Sequence, residues 1–207
     1  MKRTLFSLVF ICFTVVSAYS QKLQYGLRFG LGFASQLIDN PDILSTNSVT
    51  TYNIGAVVDI PVKNFYIEPG ISIVGKGVKE YQNAQTNTIT LTYLDVPINA
   101  VYKIDLPTVG KVCLGAGPYI SVGLSGNNQQ EGVNTTSGTS VEFGPSQDYL
   151  KTDIGVNFSG ALDLNNHLTF HMRYSLGLNN IASDDPSDVN TTNVKNRLFS
   201  IGLGFWF

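Results

Sequence analysis

Residues 168–178 read Leu-Thr-Phe-His-Met-Arg-Tyr-Ser-Leu-Gly-Leu. Every even position is large and apolar, and every odd position is polar or small. Successive side chains of a β-strand point to opposite faces, so this stretch has one greasy side and one wet side. His171 and Arg173 both fall on the wet side.

Seven other stretches carry the same alternation. In 23–35 the odd positions Leu23, Tyr25, Leu27, Phe29, Leu31 and Phe33 oppose Gln24, Arg28 and three glycines. In 51–60 Tyr52, Ile54, Val58 and Ile60 oppose Asp59. In 65–77 Phe65, Ile67, Ile71 and Ile73 oppose Glu68, Ser72 and Lys76. In 92–104 Leu94, Val96, Ile98, Tyr102 and Ile104 oppose Asp95, Asn99 and Lys103. The stretch 111–124 sets Val112, Leu114, Ile120 and Val122 against Lys111, Cys113 and Ser121. The stretch 149–162 sets Ile154, Val156, Phe158 and Leu162 against Lys151, Asp153 and Asn157. In 197–207 the residues Phe199, Ile201, Leu203, Phe205 and Phe207 oppose Ser200, Gly202 and Gly204. Runs of about 10–13 residues are long enough for a tilted strand to cross a bilayer, and longer than ordinary soluble strands.

The connections alternate in length. Segments 36–50, 78–91, 125–148 and 179–196 read as long polar loops. Segments 61–64, 105–110 and 163–167 are short and carry turn residues such as Pro61, Lys63-Asn64, Pro107, Gly110 and Asn165-Asn166. Short turns on one rim and long loops on the other are the rhythm of an outer-membrane barrel. The pattern therefore predicts an all-β fold, an eight-stranded antiparallel transmembrane up-and-down β-barrel.

Three features predict that the greasy face points outward. The opposite face is rich in glycine, as a narrow lumen requires. It also carries both signs of charge: Arg28, Lys76, Lys103, Lys111, Lys151 and Arg173 against Asp59, Glu68, Asp95, Asp153 and Asp163. Finally, Tyr25, Tyr52, Phe65, Tyr102, Phe205 and Phe207 sit near strand ends on the apolar face, as an interfacial girdle would. Buried charges must pair, so Arg28, Asp59, Glu68, Lys76, Asp95, Lys103, Asp153, His171 and Arg173 are expected to form a polar network that plugs the lumen.

Residues 1–20 read as a signal peptide. Lys2 and Arg3 precede an apolar run over 5–16, and Ala18-Tyr19-Ser20 places small residues at a cleavage site before Gln21. Cys12 lies in that run without a lipoprotein cleavage box. Cleavage leaves a single barrel domain over 21–207. The whole chain carries a formal charge of −2, and the leader removes two cations and no acid, so the remainder stands at −4. That weak acidity argues against a nucleic-acid partner. One cysteine, Cys113, remains, so no intramolecular disulfide forms, and its mid-strand position suggests a sheltered thiol.

The chain resembles the porin-like outer-membrane β-barrel family of gram-negative bacteria, including its PorT-like branch. The matching pieces are Tyr66-Ile67-Glu68-Pro69-Gly70 with Lys76-Gly77, then Tyr93-Leu94-Asp95-Val96-Pro97, then Gly115-Ala116-Gly117-Pro118-Tyr119. Arg173-Tyr174-Ser175-Leu176-Gly177-Leu178-Asn179-Asn180 and the last strand ending in Phe207 complete the set. The resemblance implies an outer-membrane location. It implies that Phe207 is the signal read by the assembly machinery. It implies no single activity, although the PorT-like branch is linked to protein secretion.

No nucleophile–base pair, cofactor motif or metal-ligand cluster stands out, so no enzyme activity, cofactor or metal is expected. Gly75-Lys76-Gly77 lacks the spacing of a phosphate loop. The acidic run 184–188 reads as a solvated loop. The leading expectation is an integral outer-membrane protein with a structural or surface-interaction role, acting through long extracellular loops, with 125–148 the first choice as contact site. The alternative is a small-solute porin-like channel, or a PorT-like accessory of a secretion system. Expected partners are outer-membrane lipid and lipopolysaccharide, the assembly machinery, and other surface or secretion proteins.

Overall fold

The computed structural model describes residues 23–39, 45–82, 85–131, 136–144, 147–182 and 193–207. The expected signal peptide and the acidic run 184–188 lie outside them. Ten strands form one antiparallel sheet: β1 (Gln24–Asp39), β2 (Ser45–Asn47), β3 (Val49–Val62), β4 (Phe65–Gln82), β5 (Gln85–Leu106), β6 (Gly110–Glu131), β7 (Thr136–Val141), β8 (Thr152–Leu164), β9 (Leu168–Gly177) and β10 (Asn193–Trp206). Eight of them close a ring in the order β1, β3, β4, β5, β6, β8, β9, β10 and back to β1. The two short strands are additions, β2 pairing with β4 and β7 with β6.

The seam between first and last strand runs from Gly26 opposite Trp206 to Asp39 opposite Asn193. It is finished by the Phe207 amide, which donates to the Tyr25 carbonyl at 2.8 Å. A closed ring leaves no unpaired edge around the span, so backbone polar groups are satisfied within the wall. Lys63 and His167 adopt positive φ (54° and 71°) in the tight turns at the short-loop rim.

The apolar face points out. Leu27, Phe29 and Leu31 on β1, and Phe170 and Met172 on β9, are each more than half exposed. Asp59, Glu68, Lys76, Asp95, Asp153 and Asn157 on the opposite face are buried inside the ring. All six girdle aromatics face outward and are exposed. Phe65 lies 5.6 Å from Tyr102, and Phe205 lies 5.2 Å from Phe207, between ring centres at the short-turn rim. Phe33 and Phe199 stack at 6.5 Å farther along the β1–β10 seam.

Three expectations need correction. Segment 78–91 is not a loop: β4 and β5 continue through it as a hairpin, paired in register from Val78 opposite Ile89 to Gln82 opposite Gln85. Segment 125–148 is likewise largely strand, its 125–131 portion belonging to β6 and its 136–141 portion to β7. A register shift at Thr92/Tyr93 turns Ser125, Asn127 and Gln129 outward, so the pattern of the lower strand does not continue unbroken. Finally, Lys111 and Lys151 are exposed rather than luminal, and Lys111 pairs with exposed Asp105 at 3.4 Å.

Extending these strands gives the upper lumen an apolar filling. Ala34, Val74, Val78, Ile89, Leu91, Tyr93, Val141 and Leu198 form a buried cluster, joined by Ile38, Val49, Phe143 and Tyr149. Tyr93 meets Phe143 edge-on at 5.5 Å. Removing a buried Leu side chain loses transfer energy and leaves a cavity. Leu91→Ala is therefore expected to lower stability by about 2–3 kcal/mol, read as a shift in the urea unfolding midpoint.

Candidate functional site

The lower lumen is built from inward positions of all eight ring strands. Arg28 on β1 makes a two-pronged bond to Glu68 on β4, both nitrogen–oxygen distances being 2.7 Å. Lys103 on β5 bonds Asp59 on β3 and reaches Asp163 on β8 at 3.1 Å. Arg173 on β9 contacts Asp95 on β5 at 3.3 Å. Ser121 on β6 donates to Asp95 at 2.6 Å and accepts from Lys76 Nζ at 2.9 Å.

Lys76 on β4 completes its shell with Asp153 on β8 at 2.7 Å. Asp153 also accepts from Asn196 Nδ2 at 2.8 Å and from the Tyr119 hydroxyl at 3.3 Å. Asn196 is bonded by Gln36 Nε2 at 3.1 Å, and the Tyr149 hydroxyl donates to Gln36 at 3.4 Å. A continuous polar ladder thus climbs from mid-lumen to the loop preceding β8. Burial raises the pKa of the Tyr149 hydroxyl at its top.

Aromatic faces finish the cation shells. Lys76 Nζ sits 4.5 Å from the Tyr119 ring centre and 4.8 Å from that of Tyr93. Lys103 Nζ sits 4.8 Å from Tyr66 and 4.9 Å from Trp206, with Arg28 at 5.4 Å from the same indole. Such contacts strengthen once the cation is desolvated. Trp206 closes the lower end of the lumen, packed over Gly26, where a Cβ would meet the indole at 2.7 Å.

One cavity, of about 50 Å³, lies among Arg28, Asn53, Glu68, Asn99, His171 and Arg173. That is room for about three or four waters. Asn53 Nδ2 and Asn99 Oδ1 bond to no protein group, and both residues line this cavity.

All nine residues singled out from the sequence lie on the inner face, and eight of them bond through charged groups to one another or to Asp163. His171 joins none of these ion pairs. Sequence reasoning missed Trp206, Tyr66, Tyr119 and Asn196, and it placed Ser121 on the inner face without giving it a role in the network. Their signal was inward register: they lie an even number of positions from Gly204, Glu68, Gly117 and Ser200 on their own strands. Cys113 is buried, its sulfur 3.2 Å from Asp163 Oδ2. Among the described residues no group of acids, histidines and cysteines is arranged to hold a metal.

An apolar belt outside, a closed ring and a paired ionic interior define an integral outer-membrane β-barrel. The chain belongs to the family described as outer membrane protein beta-barrel domain, whose model matches residues 19–183, and so is a protein of the gram-negative outer membrane. Its fold is similar to solved barrels. OprG of Pseudomonas aeruginosa is 14% identical with a TM-score of 0.47, covering 89% of this chain and 95% of its own. Neisserial surface protein A is 11% identical at 0.44, covering 87% and 96%. The attachment invasion locus protein Ail of Yersinia pestis is 11% identical at 0.44, covering 90% and 100%. No curated protein matches the chain.

Proposed function

We propose that this barrel is a non-conducting, non-enzymatic surface protein, whose working part is the tall β4–β6 wall with β7 and the loops around it. The observation that carries this is the filling of the lumen at two levels. Ion pairs and Trp206 occupy the lower part, and the Leu91–Tyr93–Val78 cluster occupies the upper part. An eight-stranded ring has an interior that side chains can fill, and this one is filled with matched partners. In this reading the lumen network is a stiffening plug, and the rigid wall displays Thr, Ser, Asn and Gln residues to the exterior. The acidic wall-top residue Glu131 and the exposed loop residue Glu142 lie beside them.

The reading carries further assignments. Residues 1–20 are removed on export, and Phe207 with the last strand is engaged by the assembly machinery. The belt contacts outer-membrane lipid and lipopolysaccharide, and partners at the surface meet the β5–β6–β7 sheet. Purified barrel, verified as folded by heat-modifiable gel migration, is expected to give no stable conductance steps in planar bilayers. Sustained, uniform single-channel steps would replace this reading with the small-solute channel. Loss of secretion on deleting the gene, with secretion components co-purifying, would favour the accessory of a secretion system instead.

A further inference from the structure

The outward side chains of each strand mark where the lipid-facing band stops. At the C-terminal end these are Phe207, Phe205, Leu203, Ile201 and Phe199, all exposed. The next two outward residues on β10 are Arg197, exposed, and Lys195, half-buried. From Phe207 to Arg197 is about 33 Å of strand, or about 25 Å of height at a tilt near 40°, which matches the apolar band of outer-membrane barrels. Arg197 therefore stands at the outer headgroup level, with Lys195 just above it.

Among the described residues no other strand carries two outward cations in succession. Past their apolar runs the outward residue is Ser35 on β1, Thr50 on β3, Thr92 on β5, Ser125 on β6 and Thr152 on β8. Lys79 on β4 and Lys151 beside Thr152 are single outward cations near this height, whereas Lys195 and Arg197 are successive outward residues of one strand. Arg197 has Ser35 beside it on β1 and Leu176 beside it on β9, and Lys195 lies beside Leu37. Among the described residues neither cation belongs to an ion pair. Directly below, Phe33 and Phe199 present stacked, exposed rings.

We infer that Lys195 and Arg197 bind the phosphate of an outer-leaflet glycolipid of the lipid A type, while Phe33 and Phe199 pack against its acyl chains. The site is continuous with the lipid-facing belt, so a bound headgroup extends a contact the barrel already makes. Charge complementarity selects an anion, and the height selects one attached to a lipid. A guanidinium offers two parallel donors to a phosphate, and the ammonium adds a point charge beside it. The inference rests on the belt being the lipid contact. It does not depend on the lumen being closed, so a conducting barrel would leave it standing.

The test is native mass spectrometry of the folded protein in detergent, titrated separately with bis-phosphorylated lipid A, dephosphorylated lipid A and inorganic phosphate. Each cation at a membrane surface contributes roughly fivefold in binding, so the wild type is expected to prefer the phosphorylated lipid by about 10- to 30-fold. The variant K195Q/R197Q is expected to bind both lipids equally and weakly, with unchanged heat-modifiable migration. Inorganic phosphate at matched concentration is expected not to displace the lipid. Three outcomes would overturn the inference: no preference in the wild type, full preference retained in the folded variant, or displacement by inorganic phosphate. Should the variant not fold, the wild-type comparison of the two lipids decides alone.

Discussion

Asp153→Ala is expected to destabilise the barrel by about 3–5 kcal/mol, because it strands a buried lysine. Lys76 is 1% exposed and Asp153 is fully buried. Without the carboxylate, Lys76 keeps only Ser121 and the two tyrosine faces, none of which carries a negative charge. Asn196 and Tyr119 lose an acceptor in the same step. Replacing both ions removes the uncompensated charge, so K76M/D153A is expected to recover most of the loss. Urea unfolding followed by fluorescence measures this directly, since Trp206 is the only tryptophan and is buried. A single variant as stable as wild type would mean that water, not Asp153, neutralises Lys76.

Gly202→Val is expected to prevent ring closure outright. Gly202 and Gly30 face each other across the seam where the last strand meets the first. A Cβ on Gly202 would stand 2.7 Å from the Gly30 Cα and 2.8 Å from His171 Nε2. A Cβ on Gly30 would in turn stand 2.9 Å from the Gly202 Cα. Backbone atoms in a closed ladder cannot retreat as a flexible side chain can, so the two strands would have to part. The readout is loss of the compact, heat-modifiable band after membrane extraction or refolding. Gly160→Ala supplies the contrast, since its nearest neighbour would be Met172 Cγ at an ordinary 3.5 Å. Equal folding of both variants would show that the seam tolerates widening.

These two sites also mark what is legible in the amino-acid sequence. The 168–178 alternation, repeated, identifies the ring strands, because period two is a backbone property that needs no tertiary information. Which face meets lipid was legible from Arg173 and its counterparts, since ions of both signs on a shared face demand mutual burial. Their partners were not. Arg28 with Glu68 and Lys76 with Asp153 depend on how far the sheet is sheared when it closes, and alternation carries no register. The upper lumen was missed for another reason. Val78, Ile89 and Leu91 alternate with Thr, Gly and Lys, so the segment lacks the strong outward apolar row that lipid imposes lower down. Once a strand leaves the membrane its apolar residues turn inward, the reverse of the pattern below.

The uneven strand lengths have a consequence for how the protein meets its neighbours. β5 and β6 each run for 22 residues, while β9 has 10 and β10 has 14. In the ring, β5 stands directly across from β10. The molecule therefore has a compass heading within the plane of the bilayer: a high parapet on one flank and a low sill on the other. Among the described residues, a neighbour on the β10 flank meets short strands, while one arriving from the β5 flank meets the outside of the parapet. Sideways encounters are consequently not equivalent, and crowding around the barrel is directional even though the belt that holds it in the bilayer runs all the way round.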